Sequence, residues 1–113
     1  MEESKKDIIK LKFAICLNRF ISMNKEHLGS EKDNIDVISS FRQLEASSGV
    51  SFPIIQLTSV ANRDIQLSTA IRLIESLNIK PSDFFALYES LTEVDLKTGL
   101  KEIEKRKKNL NKN

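Results

Sequence analysis

Apolar residues in the first part of the chain recur at steps of three and four, the spacing of one face of an α-helix. They are Ile8, Ile9, Leu11, Ile15, Cys16, Phe20 and Met23. Phe13 and Leu17 widen this stripe, so a helix over residues 5–23 is predicted to be largely covered by the rest of the protein. Residues 24–34 are polar, contain Gly29 and show no period, which predicts a loop.

Two helices separated by a tight turn are predicted next. Ser40 and Gln43 have the spacing of a capping box, in which each residue satisfies a free amide at the helix start. Gly49 then suits the left-handed position that ends a helix. Ser51 is predicted to cap the following helix, and Pro53 is tolerated in its first turn. The residues of this segment predicted to face inward are Leu44, Val50, Ile55 and Thr58.

Two more helices complete the predicted core. The fourth places Leu67, Ala70, Ile71, Ile74 and Leu77 on one face. The fifth opens with Pro81 at its first position, and Phe84, Phe85, Leu87, Tyr88 and Leu91 follow as apolar residues. The aromatic side chains are predicted to fill the core rather than to line a ligand site.

The predicted fold class is therefore all-α, with five helices around one core. That core is predicted to contain Leu44, Val50, Ile55, Leu67, Ile71, Ile74, Leu77 and Phe84. The spacing of Leu96, Leu100 and Ile103 leaves open a short sixth helix, weakened by Gly99. Such a helix would pack either on its own domain or on a second subunit.

Charge is distributed unevenly over the 113 residues. The formal net charge is +2, but residues 97–113 hold seven basic and two acidic side chains, or +5, which leaves −3 for residues 1–96. Attraction to a polyanion would therefore come largely from this basic tail. Two interpretations remain open: Lys105, Arg106, Lys107 and Lys108 contact phosphates, or the tail is a solvated, fraying end.

Several classes of protein are disfavoured by the sequence. No apolar run approaches the roughly 18 residues that span a bilayer, and residues 1–10 lack the apolar core of a signal peptide, so no membrane association is predicted. A single cysteine indicates a reducing, cytoplasmic compartment. His27 has no second ligand nearby and Cys16 has no paired base, so we predict no enzyme activity, no metal and no cofactor.

The segment SSFRQLEASSGVSFPIIQLTSVANRDIQLSTAIRLIESLNIKPSDFF, residues 39–85, resembles the Cro and lambda-repressor (XRE-type) helix-turn-helix family. Without a gap, residues 40–45 resemble the first motif helix, 49–51 the turn and 52–60 the recognition helix. The resemblance implies a five-helix lambda-repressor-like domain over residues 1–94, with its motif at 40–60. Residues 95–113 would be a basic C-terminal tail or an extra helix.

The function that this resemblance implies is sequence-specific binding of double-stranded DNA by a transcriptional regulator of prokaryotic or phage type, with residues 52–60 in the major groove. The DNA-binding residues carried over from the motif are Ser40, Arg42, Ser51, Phe52, Pro53, Gln56, Leu57, Asn62 and Arg63. Regulators of this fold commonly dimerise on two half-sites, so a homodimer is one alternative for the oligomeric state.

The sequence departs from the family in its reading face. Glu45 stands where the family usually has a small residue, and Ser59 stands where it commonly has glutamate. Ala61 stands where the family has a glycine after that glutamate. Of the residues expected in the groove, only Gln56 offers the hydrogen-bonding groups that direct readout needs. The alternative is a repurposed domain in which Phe52, Pro53 and Leu57 bind another protein.

Overall fold

The described part of the chain is built only of helices. The computed structural model describes residues 4–30 and 40–110, and within these ranges it contains six α-helices and no strand. They are α1 (Lys5–Ser30), α2 (Phe41–Ser48), α3 (Phe52–Ser59), α4 (Leu67–Ser76), α5 (Pro81–Ser90) and α6 (Glu93–Leu110). The predicted all-α class is confirmed. None of the described helices combines the length and the apolar composition needed to cross a bilayer.

Helix α1 is the element around which α3, α5 and α6 pack. Its middle section is buried, with Ala14, Cys16 and Leu17 fully inaccessible. The helix is longer than predicted: residues 24–30 continue it, so the predicted loop is wrong there, while residues 31–34 lie outside the described residues. The apolar period ends near Met23, which is 55% exposed. The helix continues beyond this point, but it no longer packs against the core.

The predicted core is correct except at α4. Leu44, Val50, Ile55, Ile74, Leu77 and Phe84 are buried, and Ile71 is partly buried. Leu67 was predicted in this core, but it is 74% exposed. It is the first residue of α4, and Leu73 is fully buried instead. The inward stripe of α4 is thus Ala70, Leu73, Ile74 and Leu77, the i, i+3, i+4, i+7 pattern.

The aromatic residues fill the core as predicted. Phe84 is fully buried, and its ring centroid lies 4.9 Å from that of Phe13 and 5.7 Å from that of Phe20. Phe85 meets Phe84 edge-on at 5.4 Å. These rings join α5 to α1, so the position of α1 is fixed by aromatic contacts in geometries that aromatic pairs favour.

Helix α6 is an 18-residue helix that packs on its own domain, where the sequence predicted at most a short one. Ile103 is buried, and Leu96 and Leu100 are partly buried against the core. Gly99 does not simply weaken the helix: a Cβ at this position would collide with the Ile15 side chain. Glycine therefore permits the close approach of α6 to α1.

Thr92 and Asp95 form a reciprocal cap at the start of α6. The Thr92 N–H donates to Asp95 Oδ2 at 2.8 Å, and the Asp95 N–H donates to Thr92 Oγ1 at 3.2 Å. Arg19 of α1 donates to the other carboxylate oxygen at 2.9 Å. The hydrogen bond from the Thr92 backbone, with that from Arg19, lowers the pKa of Asp95 to about 2. This carboxylate therefore both starts α6 and ties it to α1.

Replacing Asp95 with asparagine should reduce stability, and the loss should depend on pH. Because the folded-state pKa of Asp95 lies below its ordinary value of 3.8, its contribution is present above that value and disappears as pH falls towards 2. Urea unfolding of parent and variant at pH 6, 4 and 2 should show a stability difference that shrinks with acidification. A difference that stays constant over this range would contradict the role of the charged carboxylate.

Candidate functional site

The turn between α2 and α3 is held by side chains from inside and outside the turn. Gly49 adopts the left-handed conformation with φ +76°, and its N–H donates to the Glu45 carbonyl at 2.9 Å. Ser48 Oγ accepts from the Val50 N–H at 3.1 Å. Arg72 of α4 donates to the Ser48 carbonyl at 2.8 Å, which satisfies a carbonyl at the end of α2. The angle between α2 and α3 is thus set by defined hydrogen bonds.

The first turn of α3 is capped by a residue that the sequence did not predict. Ser51 was predicted as the side-chain cap, but its hydroxyl makes no capping hydrogen bond. Glu45 Oε2 instead accepts from the Phe52 N–H at 2.8 Å. A carboxylate complements the positive end of a helix better than a hydroxyl does, because it carries charge. The Phe52 amide at the start of α3 is therefore occupied by Glu45.

A cluster of three side chains joins α2 to α3: Arg42 and Phe41 of α2 both contact the Phe52 ring of α3. The Arg42 guanidinium carbon lies 3.9 Å from the centroid of the Phe52 ring, and Phe41 meets Phe52 edge-on at 6.4 Å. Arg42 Nη1 also lies 3.7 Å from Glu45 Oε1. Its side chain remains 75% exposed, so the guanidinium is oriented by the ring and still reachable from solvent. Phe52 is correspondingly less available to a partner than the sequence suggested.

Five of the predicted site residues line one groove, which we call the α1–α3 groove. They are Ser40, Arg42, Phe52, Gln56 and Arg106. The groove has a volume of about 390 Å³ and is completed by Asn18, Ile21, Ser22, Lys25, Phe41 and Ser59. Ser40 Oγ accepts from the Gln43 N–H at 3.2 Å, so one bond of the predicted capping box is present.

The C-terminal end of α3 is connected to α6 through one side chain of α1. Asn18 Nδ2 donates to the Ser59 carbonyl at 2.9 Å. Arg106 Nη1 in turn donates to Asn18 Oδ1 at 2.8 Å, and its guanidinium carbon lies 5.9 Å from the Phe41 ring centroid. Arg106 is thereby brought beside α3, although it belongs to the tail.

The remaining predicted residues lie in other places. Pro53, exposed, and Leu57, partly buried, are four residues apart and share a second face of α3. Asn62 is exposed and lines a neighbouring cleft of about 270 Å³ with Lys107. Arg63 is exposed beside an apolar groove of about 250 Å³, away from the α1–α3 groove.

The tail residues Lys105 and Lys108 are exposed on α6, whereas Lys107 is partly buried. The structure thus unites the start of α2, one face of α3 and Arg106, but it does not bring Arg63 to the same groove.

Asn18, Lys25 and Glu45 are among the residues of this region that the sequence did not predict. Asn18 and Lys25 come from α1, which sequence spacing alone does not connect to α3. In the sequence, Glu45 stands out only as a departure from the family pattern. A carboxylate seven residues before a helix start carries no local capping signature, since the bond depends on how the turn folds back.

Cys16 is fully buried, and burial raises the pKa of its thiol to about 11, which keeps the thiolate population negligible near neutral pH. No group of three or more histidine, cysteine, aspartate or glutamate side chains in residues 4–30 and 40–110 is arranged to hold a metal ion. What the site provides is hydrogen-bond donors and positive charge on an exposed groove.

Comparison with protein-family models, with curated proteins and with solved structures gives no match for this chain.

Proposed function

We propose that the protein is a sequence-specific DNA-binding transcriptional regulator with a Cro/lambda-repressor-like fold, and that α3 enters the major groove. The observation that carries this proposal is the α2–turn–α3 unit. Two eight-residue helices are joined through Gly49 in the left-handed conformation, in the helix order that the family resemblance implies. A short helix that is held at a fixed angle by a rigid scaffold and is partly exposed on one side is the usual means of presenting side chains to base edges.

A second observation supports the same assignment at the end of α3. The family usually has glycine where this chain has Ala61, and Ala61 adopts φ +58°. Glycine reaches that region without steric cost, whereas alanine is strained there. A left-handed residue at this position supports the proposed fold, because the family pattern has glycine there.

The chemistry of the proposed reading face divides into two kinds of contact. Gln56 offers the amide that pairs with adenine in the major groove, so it would read sequence. Arg42 and Arg63 are exposed cations that would bind phosphates and position the protein without discriminating between bases. Because Glu45 occupies an amide at the start of α3, affinity would depend on arginine and lysine side chains more than on helix-start amides.

The assignment of α3 can be tested on a DNA site selected from random sequence. Gln56→Ala should weaken binding to the selected duplex by about 1–3 kcal/mol and change binding to random duplex far less. Arg63→Ala should weaken both duplexes to a similar extent, because a phosphate contact is independent of sequence. Fluorescence anisotropy titrations give both values, with circular dichroism to show that each variant is folded.

If Gln56→Ala binds the selected duplex as tightly as the parent does, the DNA-reading role of α3 is wrong. The second candidate is a protein-interaction module, and the exposure of Pro53 next to Leu57 favours it. In that case Leu57→Ala would cost about 2 kcal/mol or more towards the protein partner. Leu57 is a cleaner probe than Phe52, because Phe52 packs against Arg42 and Phe41 within the chain.

A further inference from the structure

The α1–α3 groove collects three cationic side chains from three different helices. Lys25 comes from α1, Arg42 from α2 and Arg106 from α6. All three are exposed, and none of the described residues that line the groove is acidic. Outside the groove lining, Glu45 Oε1 lies 3.7 Å from Arg42, and Glu26 and Glu102 line a neighbouring cleft together with Arg106. Side chains so far apart in sequence have no local reason to converge, so the groove has a concentrated positive charge that the modest net charge of the chain conceals.

Arg106 is oriented by neutral groups. Its Nη1 donates to Asn18 Oδ1 at 2.8 Å, and its guanidinium lies 5.9 Å from the Phe41 ring centroid. Within the described ranges, neither Arg106 nor Lys25 has a carboxylate within ion-pair distance. A guanidinium has five N–H donors, so most of those of Arg106 remain for a ligand after the bond to Asn18. The guanidinium is thus placed in advance by its bond to Asn18, and within the described residues it forms no ion pair.

The location of this charge indicates its ligand. Gln56 and Phe52 of α3 line the same groove, so the three cations flank the face of α3 that carries its only amide side chain. A phosphodiester oxygen matches both the charge and the forked donor geometry of arginine. When a reading helix lies in the major groove, the phosphates of the flanking strand are the anions that lie beside it.

We infer that Lys25, Arg42 and Arg106 form a clamp for phosphates of the DNA backbone beside α3, and that Asn18 is its positioning residue. This inference rests on the proposed function. It assigns a role to α6, which lies outside the five helices of the family resemblance, and to the extended end of α1. Asn18 links the two, because the same amide side chain holds the Ser59 carbonyl of α3 and the Arg106 guanidinium of α6.

The test compares Arg106→Ala with Lys101→Ala, which removes the same charge from an exposed position of α6 outside the groove. Arg106→Ala should weaken binding to selected and random duplex alike, by about fivefold to tenfold, and should lower the slope of log affinity against log salt by about 0.9. Lys25→Ala should act in the same direction. Lys101→Ala should change affinity by less than about twofold. Equal effects of Arg106→Ala and Lys101→Ala would overturn the clamp.

The role of Asn18 has its own readout. Asn18→Ala keeps the charge of Arg106 but removes its anchor, so it should weaken binding by less than Arg106→Ala does. If Asn18 acts through Arg106, the double variant should bind as Arg106→Ala does, whereas independent effects would multiply. Multiplied effects would overturn the positioning role, provided thermal unfolding shows that both single variants are folded under the assay conditions.

The outcomes separate this inference from the proposed function. If Gln56→Ala loses discrimination while Arg106→Ala equals Lys101→Ala, α3 reads DNA and the clamp is wrong. If the parent binds no duplex, both are wrong. Competition of DNA binding by inorganic phosphate, compared with chloride at equal ionic strength, tests whether the ligand of the groove is a free anion. Specific displacement by phosphate without any effect of Arg106→Ala on DNA binding would also overturn the clamp.

Discussion

Replacing Leu44 with alanine should lower the free energy of unfolding by about 2–5 kcal/mol, which is the cost of removing a packed core leucine. Leu44 is fully buried, and it is the buried residue by which α2 is attached to the core. An eight-residue helix is not stable alone in water, so α2 depends on this packing. The loss should therefore also loosen the turn at Gly49 and the cap that Glu45 gives to α3.

Leu67→Ala is the matched control, because it makes the same chemical change at a leucine that is 74% exposed. An exposed position with few contacts should change stability by about 0.5 kcal/mol or less. Urea unfolding followed by circular dichroism measures both variants. Similar losses at Leu44 and Leu67 would mean that α2 and α4 do not pack as the structure shows.

The parts of the fold that the sequence predicted are those governed by short-range chemistry. Ser40 marks a helix start because its hydroxyl accepts from a free backbone N–H, and Pro81 marks another because it has no N–H to satisfy. Gly49 marks a helix end because it adopts the left-handed conformation without steric cost. The start of α6 carried an equally local signal in Thr92 and Asp95, which have capping-box spacing. The start of α6 could thus have been predicted, although the cap does not indicate where the helix ends.

Other features depend on where neighbouring helices end, which sequence periodicity does not record. The apolar stripe of α1 stops near Met23, yet the helix continues to Ser30. Leu67 matches the period of α4, yet it is the first residue of the helix and is exposed. In α1 the pattern of apolar residues described packing and missed the end of the helix, whereas at Leu67 it predicted packing for a residue that is exposed at the start of α4.

The candidate site was predictable only in part, for the same reason. The family resemblance supplied Arg42, Phe52 and Gln56 as one surface, and the structure places them on one groove. The stacking of Arg42 on Phe52 joins two helices across the turn, and no rule of local spacing implies it. The bond between Arg106 and Asn18 spans 88 residues of sequence, so it follows only from the packing of α6 on α1.

Deleting residues 104–113 should produce the largest loss of DNA affinity that we expect. The deletion removes five basic residues and one acid, a net charge of +4, while it keeps the buried Ile103. Loss of two to four phosphate contacts should lower the slope of log affinity against log salt by about 2–4 and weaken binding by about 30- to 1000-fold near 0.15 M salt. The reduction should be similar on selected and random duplex, because these contacts carry no sequence information.

A second variant separates charge from helix length. Replacing Lys105, Arg106, Lys107 and Lys108 with glutamine keeps α6 intact, since glutamine is nearly as good a helix former as lysine. If the tail contacts DNA phosphates, this variant should lose most of the affinity that the deletion loses. Ile103 should keep α6 packed on the core in both variants. Titrations at three salt concentrations measure the slopes. If the deletion changes neither the affinity nor the salt slope, the tail is a solvated end that does not contact DNA. If the deletion weakens binding and the glutamine variant does not, the loss comes from the packing of α6 and not from charge.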